Sequence, residues 1–236
     1  MIAGTAASVR PLDVRRLGLV PYDDGLELQR QLVEARRAGA IPDTLLLLEH
    51  PAVITIGVRR TGGRANIVAP PDELARRGIA VHETGRGGDV TYHGPGQIVA
   101  YPILDLRPDR CDVHRYVRDL EEVMIGVCRT YGLEAGRVAG FSGTWIGDRK
   151  IGAIGVRISR WITSHGLAFN VNTDLSHFSL IVPCGIADRG VTSLARELGH
   201  PVPVSEAMDR LVAEFCRVFG AVPAGSAGET RTQSPE

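Results

Sequence analysis

The sequence predicts an α+β fold built on a mixed, largely antiparallel sheet flanked by helices. Three observations carry that expectation. The strand-like runs are grouped rather than alternating one for one with helices, which is the pattern of α+β proteins and not of doubly wound sheets. Four stretches show helical periodicity, the clearest over residues 112–131. With 44% hydrophobic residues in a chain of 236, a sizeable core can form, so a disordered or fibrous chain is excluded.

Taken in order, residues 1–16 read as an N-terminal tail, and the small, polar run 222–236 as a C-terminal one. Residues 22–38 place Leu28, Leu32 and Ala35 on one stripe, with Asp23 and Asp24 at the start and Gly39 at the end. The apolar run 45–48, and 53–56 after a turn at Pro51, predict two strands. Pro70-Pro71-Asp72-Glu73 opens a short helix that Gly78 closes. Residues 98–106 suit a central strand, although Pro102 predicts an edge or a bulge there. In 112–131, Val113, Tyr116, Val117, Leu120, Val123, Met124, Val127 and Tyr131 recur at helical spacing. Residues 144–172 read as an antiparallel meander with turns at Gly147-Asp148-Arg149 and Ser159-Arg160. Ser205 is placed to cap a last helix with the stripe Met208, Leu211, Val212, Phe215 and Phe219. No repeat and no linker interrupts the chain, so one domain over 1–236 is expected.

Charge and cysteine usage narrow the function. The 27 basic and 27 acidic groups cancel, which argues against general nucleic-acid binding. No apolar run reaches the roughly 20 residues of a membrane span, and 1–16 has neither the basic start nor the apolar stretch of a signal peptide. Cys111, Cys128, Cys184 and Cys216 are widely spaced with no C-x-x-C pair, so neither a disulfide scaffold nor a metal site is expected. A cytoplasmic, thiol-reduced protein without membrane contact follows as the expectation. The arginine pairs at 15–16, 36–37, 59–60 and 76–77 read as solvated surface.

Of the 27 basic residues only Lys150 is a lysine. Codon bias accounts for the arginines but not for the one position that escaped. A lysine can give up its proton when its surroundings allow, and an arginine cannot, so the lone lysine reads either as a site that needs a titratable amine or as a solvated hairpin lysine. It opens Lys150-Ile151-Gly152-Ala153-Ile154-Gly155, where simple alternation puts Lys150, Gly152 and Ile154 on one face of a strand. Walls of glycine and alanine leave room for a packed helix or an acyl chain. Among the cysteines, Cys128 and Cys216 lie beside apolar helix stripes, and Cys111 precedes a helix start. Cys184 differs, because Pro183 and Gly185 set it in an abrupt turn that presents its side chain. A nearby cation would favour its thiolate.

Two further segments are rich in small residues. Arg86-Gly87-Gly88-Asp89-Val90-Thr91-Tyr92-His93-Gly94-Pro95-Gly96-Gln97 has no phosphate-loop pattern, and it reads either as tight hairpins or as backbone that lets a ligand approach closely. Ser164-His165-Gly166-Leu167-Ala168-Phe169-Asn170-Val171-Asn172 is a small-residue strand in which His165 is a structural donor or an auxiliary catalyst. Asn170 and Asn172 share a face and are placed to anchor a loop.

These segments, with Pro183-Cys184-Gly185-Ile186, resemble in order the lipoyl (octanoyl) transferases. The resemblance runs from about position 45 to position 198 and rests on four motifs in register. It implies the catalytic fold shared by lipoate and biotin protein ligases. It implies transfer of an octanoyl or lipoyl group from acyl carrier protein to a lysine on the lipoyl domains of 2-oxoacid dehydrogenase E2 subunits and on the glycine cleavage H protein, with no cofactor and no metal. By position, Cys184 resembles the acyl-thioester nucleophile and Lys150 its acid–base partner. Arg86, Gly87, Gly88, Asp89, Val90, Thr91, Tyr92 and His93, with Ala153, Ile154, Gly155, Gly166, Leu167 and Ala168, resemble the wall of the acyl pocket. The competing readings are an ATP-dependent ligase, a Cys–His hydrolase using His93 or His165, and a non-catalytic acyl-binding module.

Overall fold

The computed structural model describes residues 10–58, 63–182 and 189–224. In chain order these form β1 (Arg10–Leu19), α1 (Tyr22–Arg37), β2 (Asp43–Glu49), β3 (Val53–Ile56), α2 (Pro71–Arg76), β4 (Ala80–Glu83), β5 (Val90–His93) and β6 (Gln97–Ile103). Then come α3 (Val113–Thr130), β7 (Gly136–Val138), β8 (Phe141–Ile146), β9 (Arg149–Ser159), β10 (Ile162–Asn170), α4 (Leu194–Leu198), α5 (Val204–Phe219) and β11 (Ala221–Pro223). An eight-stranded sheet has the order β11-β1-β2-β6-β10-β9-β8-β7, and a small second sheet has the order β4-β3-β5. In the large sheet only β1–β11 and β1–β2 are parallel, so the expectation of a mixed, largely antiparallel sheet holds.

The run Leu45-Leu46-Leu47-Leu48 is apolar throughout because both faces of β2 are covered. Leu45 and Leu47 join the main core with Met124 and Val127 of α3 and Leu211 and Phe215 of α5. Leu46 and Leu48 point the other way, to Leu32 of α1. The small sheet has its own apolar cluster around Ile54, Val90, Tyr92 and Leu180. α3 starts where Asp112 caps it, its side chain accepting from the Arg115 N–H at 3.0 Å.

Several local expectations need correction. Positions 10–16 are not a tail, since they form most of β1 between β2 and β11, and positions 222 and 223 belong to β11. Residues 1–9 and 225–236 lie outside the described residues. Ser205 does not cap α5, because it sits in the first turn with Pro203 at the cap position. Pro102 lies in the central strand β6 and not at an edge or bulge, paired with Leu45 of β2. Its carbonyl accepts from Thr163 Oγ1 at 2.7 Å, so its missing N–H also faces β10. The β6–β10 ladder is interrupted there, between the Ala100–Leu167 pair and the Asp105–Ile162 bridge, so no donor is needed at Pro102. The β9–β10 turn is Arg160-Trp161, one residue later than expected, with positive φ at both (52° and 66°) as a two-residue hairpin turn requires. Arg36 is not solvated surface, because its Nε donates to the buried Asp43 carboxylate at 2.7 Å. Arg59 and Arg60 lie outside the described residues.

Candidate active site

Between the large sheet and the small one lies a cavity of about 250 Å³. β9 and β10 supply one wall, and β5 with the loop 86–89 supplies another. Lys150, Arg86, Gly88, Asp89, Val90, Thr91 and His93 reach it, and so do Ala153, Ile154, Gly155, His165, Gly166, Leu167 and Ala168. Gly87 and Tyr92 are not among the lining residues. Gly87 is tied by its N–H to the Val156 carbonyl at 2.9 Å. Tyr92 is packed into the small-sheet cluster with its hydroxyl 2.7 Å from His177 Nδ1, and burial pushes that phenol up to about 12.

Lys150 reaches the cavity through a register slip that the sequence does not reveal. Thr144 of β8 pairs with Gly152 and the next residue, Trp145, with Lys150, so Ile151 is an extra residue on β9. Such a bulge breaks the two-residue alternation. Ile151 turns into the main core at 0% exposure, and Lys150 leaves the face it would otherwise share with Gly152 and Ile154. The Lys150 ammonium lies 4.7 Å from the centre of the Trp145 ring, a cation–π contact. Its backbone is fixed from the other side: the Lys150 N–H donates to Gly190 O and the Thr192 N–H to Lys150 O, both at 2.9 Å.

Arg86 rivets the two sheets. Its guanidinium donates to Thr55 O (2.7 Å), Thr55 Oγ1 (2.8 Å) and Asp89 O (2.8 Å) of the small-sheet side, while its stem lies on Gly155 of β9. A Cβ at Gly155 would come within 2.9 Å of Arg86 Cδ and of Gly87 O, so only glycine admits the contact. His93 hands its Nδ1 proton to Gln97 Oε1 at 2.7 Å, Gln97 Nε2 donates to Asn170 Oδ1 at 2.9 Å, and Asn170 Nδ2 donates to Thr192 O at 2.9 Å. This chain of bonds runs from the buried histidine to the residue that holds Lys150. Asn170 and Asn172 do anchor loops, the latter through two bonds with Val202.

Burial, reinforced by His50 and Arg86, holds His93 down to about 3, and burial with Arg86 holds His165 down to about 4. Both rings are therefore neutral near pH 7. Burial pushes the Cys128 thiol up to about 12 and raises Cys216, which suits small apolar fillers rather than nucleophiles. Cys184, the expected nucleophile, lies outside the described residues. Among the described residues no cluster of side chains could hold a metal ion.

Sequence reasoning missed Tyr22, Tyr101, Phe141 and Phe178, which also line the cavity. They come from α1, β6, β8 and the turn before Val182, four separate segments, and no local motif ties them together.

The catalytic-domain model of lipoyl protein ligases A and B matches residues 21–216. An octanoyltransferase of Myxococcus xanthus is 51% identical over 229 residues, which cover 94% of this chain and 64% of that protein. One of Solibacter usitatus is 53% identical over 206 residues, covering 87% of this chain and 92% of its own. A structure of a bi-partite lipoate protein ligase and its E2 lipoyl domain from Thermoplasma acidophilum shares the fold at TM-score 0.66 and 18% identity, over 91% of this chain and 88% of that one. The chain belongs to the lipoyl protein ligase A/B catalytic-domain family and, within it, to the octanoyltransferases, which are acyltransferases.

Proposed function

We propose that the protein transfers an octanoyl group from acyl carrier protein to a lysine of lipoyl domains, through a thioester on Cys184 and with Lys150 as acid and base in turn. The observation that carries the reading is a slot walled by small residues, with the only lysine of the chain at its edge. The segments on either side of Cys184 support it. Val182 donates its N–H to Asn66 O at 2.7 Å, and Asn66 Nδ2 is hydrogen-bonded to the Asp89 carboxylate in the slot wall. Gly190, on the far side of Cys184 in sequence, holds the Lys150 N–H.

In the first half-reaction the Cys184 sulfur attacks the octanoyl carbonyl of the carrier thioester. A new C–S bond forms, the carrier's C–S bond breaks, and the Lys150 ammonium gives its proton to the departing thiolate. One thioester replaces another, so no ATP is consumed. In the second, the amine of the acceptor lysine attacks the Cys184 thioester. The C–N bond forms, the C–S bond breaks, and neutral Lys150 takes the proton that the attacking nitrogen sheds. An acceptor lysine is ordinarily protonated, with a pKa of about 10.4, so it first loses one proton to solvent and attacks as the neutral amine; the second proton, shed as the C–N bond forms, is the one Lys150 takes. Burying the chain's methylenes contributes roughly 0.8 kcal/mol each.

Acceptors are proposed to be the lipoyl domains of 2-oxoacid dehydrogenase E2 subunits and the glycine cleavage H protein. The Cys–His hydrolase reading fares worse, because histidines held near 3 and 4 are weak bases at neutral pH. Intact-mass analysis after mixing with octanoyl-acyl carrier protein tests the proposal. One octanoyl adduct, absent in Cys184→Ser and discharged by a lipoyl domain, is expected; no adduct on the wild type refutes it.

A further inference from the structure

We infer that the end of the slot remote from Lys150 is a polar stop that sets acyl-chain length, and that His165 is its length-determining residue. The inference rests on the octanoyl-transfer reading and adds which residue limits the acyl group. The β9–β10 register lays the slot out as a ruler. Lys150 stands at one end, Ala153 pairs with Ala168 midway, Gly155 pairs with Gly166, and Val156 pairs with His165. At ~3.3 Å per strand residue, and with Ile151 bulged out of the ladder, Lys150 to Gly155 spans roughly 13 Å. A zigzag of ~1.5 Å bonds advances about 1.3 Å per carbon, so eight carbons occupy roughly 9 Å and twelve roughly 14 Å. The shorter chain leaves room at its head for the thioester and the lysine. The longer one runs into whatever stands at Gly155 and His165.

What stands there is polar: Arg86, Tyr101 and His50 are already bonded, and the His165 ring stands in front of them against the Tyr101 ring. Arg86 crosses at Gly155. The Tyr101 hydroxyl donates to His50 Nε2 at 2.8 Å, and the His50 Nδ1–H donates to Val20 O at 2.6 Å. The His165 ring meets the Tyr101 ring edge-on at 6.1 Å. α1 closes over this end, with the Gln29 side chain accepting the His165 N–H at 2.7 Å. A methylene gains about four-fold in affinity on burial. Displacing one of these bonds, and so leaving a buried donor or acceptor unmet, costs more than that. Extension is therefore favourable along the alanine-lined stretch and unfavourable beyond it. Of the groups at the stop, Arg86 joins the sheets and Tyr101 belongs to a core strand. The His165 ring is the one that can be removed while its backbone stays tied to Gln29. Its backbone is left-handed, with φ at +54°, so glycine at this position keeps the conformation without steric strain.

The test compares kcat/KM for hexanoyl-, octanoyl-, decanoyl- and dodecanoyl-acyl carrier protein in the wild type, His165→Gly and Ala153→Leu. His165→Gly is expected to raise the decanoyl-to-octanoyl ratio about tenfold, the scale of one methylene in a fitted pocket. Ala153→Leu, which fills the slot midway, is expected to shift preference about tenfold toward hexanoyl. The Kd ratio for free octanoate and decanoate, measured by calorimetry on the same proteins, reads the stop without any transfer step. A wild type that transfers no acyl group refutes the proposed function, and the stop is then judged on that Kd ratio. An unchanged decanoyl-to-octanoyl ratio in folded His165→Gly overturns the stop even where octanoyl transfer proceeds. Should that variant not fold, an Ala153→Leu protein with unaltered length preference overturns it instead.

Discussion

The two faces of the β9–β10 pair are made from the same alternating small and apolar residues, yet they do opposite things. On the face toward α3 and α5, Ile151, Leu167 and Phe169 are packed against Met124 and Phe215 in the main apolar core. On the face toward the small sheet, Ala153 and Ala168 leave space, Gly155 admits the Arg86 stem, and the groups around that space are Arg86, His93, His165 and Lys150. The first face stabilises, since a fully buried Leu, Ile or Phe side chain contributes roughly 1.5–3 kcal/mol. The second gives up that packing to keep a slot open. Small residues therefore mean two things in one strand: close approach of a neighbour on one side, and room for a substrate on the other. The bulge at Ile151 decides which side the lysine serves.

The largest expected effect is on that lysine. Arginine at 150 would keep a cation beside the Trp145 ring but could not exchange a proton. Lys150→Arg is expected to lower octanoyl kcat/KM by about 10²–10⁴-fold, the usual weight of general acid–base catalysis, with the melting temperature little changed. The check is steady-state transfer to a lipoyl domain alongside a thermal melt. A variant that turns over near the wild-type rate would show that position 150 supplies charge alone.

Acid sensitivity separates the two faces next. His93 and His165 are held at about 3 and about 4 in the folded protein, against 6.5 in the unfolded chain. Below pH 6.5 the unfolded state therefore binds more protons, so this stability is fully present above pH 6.5 and falls as pH drops toward 4. Each histidine is worth roughly 1.4 kcal/mol per pH unit in that window, or about 2 kcal/mol between pH 6.5 and 5. Urea midpoints across pH 7 to 5 should fall accordingly; buried His50, also lowered, adds to the slope, and His165→Gln should remove the part that His165 contributes. If the slope survives in His165→Gln, the acid sensitivity does not come from the slot.

How far the sequence was legible follows the same division. α3 was readable because its stripe repeats inside one segment and Asp112 caps it locally. The run 45–48 announced a strand buried on both faces. β1 was not readable: it carries several charges, only Leu12 among its residues is fully buried, and its partners β2 and β11 come from distant parts of the chain. At the site, the lone lysine and the glycine-rich loop stood out as residue types. The Ile151 bulge did not, because register is a property of the pairing of two strands and not of either sequence. Tyr22 and Tyr101 were invisible for a related reason, since α1 and β6 meet the slot only after folding.

The smallest expected effect contrasts two glycines three residues apart. A Cβ at Gly152 would overlap Met124 Sδ on the core face, and a Cβ at Gly155 would press on Arg86 Cδ and the Gly87 carbonyl on the slot face. Methionine is flexible and can swing aside, so Gly152→Ala behaves as mild overpacking, costing about 1–3 kcal/mol. At Gly155 one obstacle is backbone, and the cheaper response is for the Arg86 stem to move, which shifts the groups that end the slot. Gly152→Ala should therefore lower the melting temperature with a modest loss of octanoyl kcat/KM. Gly155→Ala should lose proportionally more activity than stability and should alter the decanoyl-to-octanoyl ratio. Parallel melts and chain-length profiles of the two variants check this, and equal activity losses per degree of melting temperature would mean that the two faces are not functionally distinct.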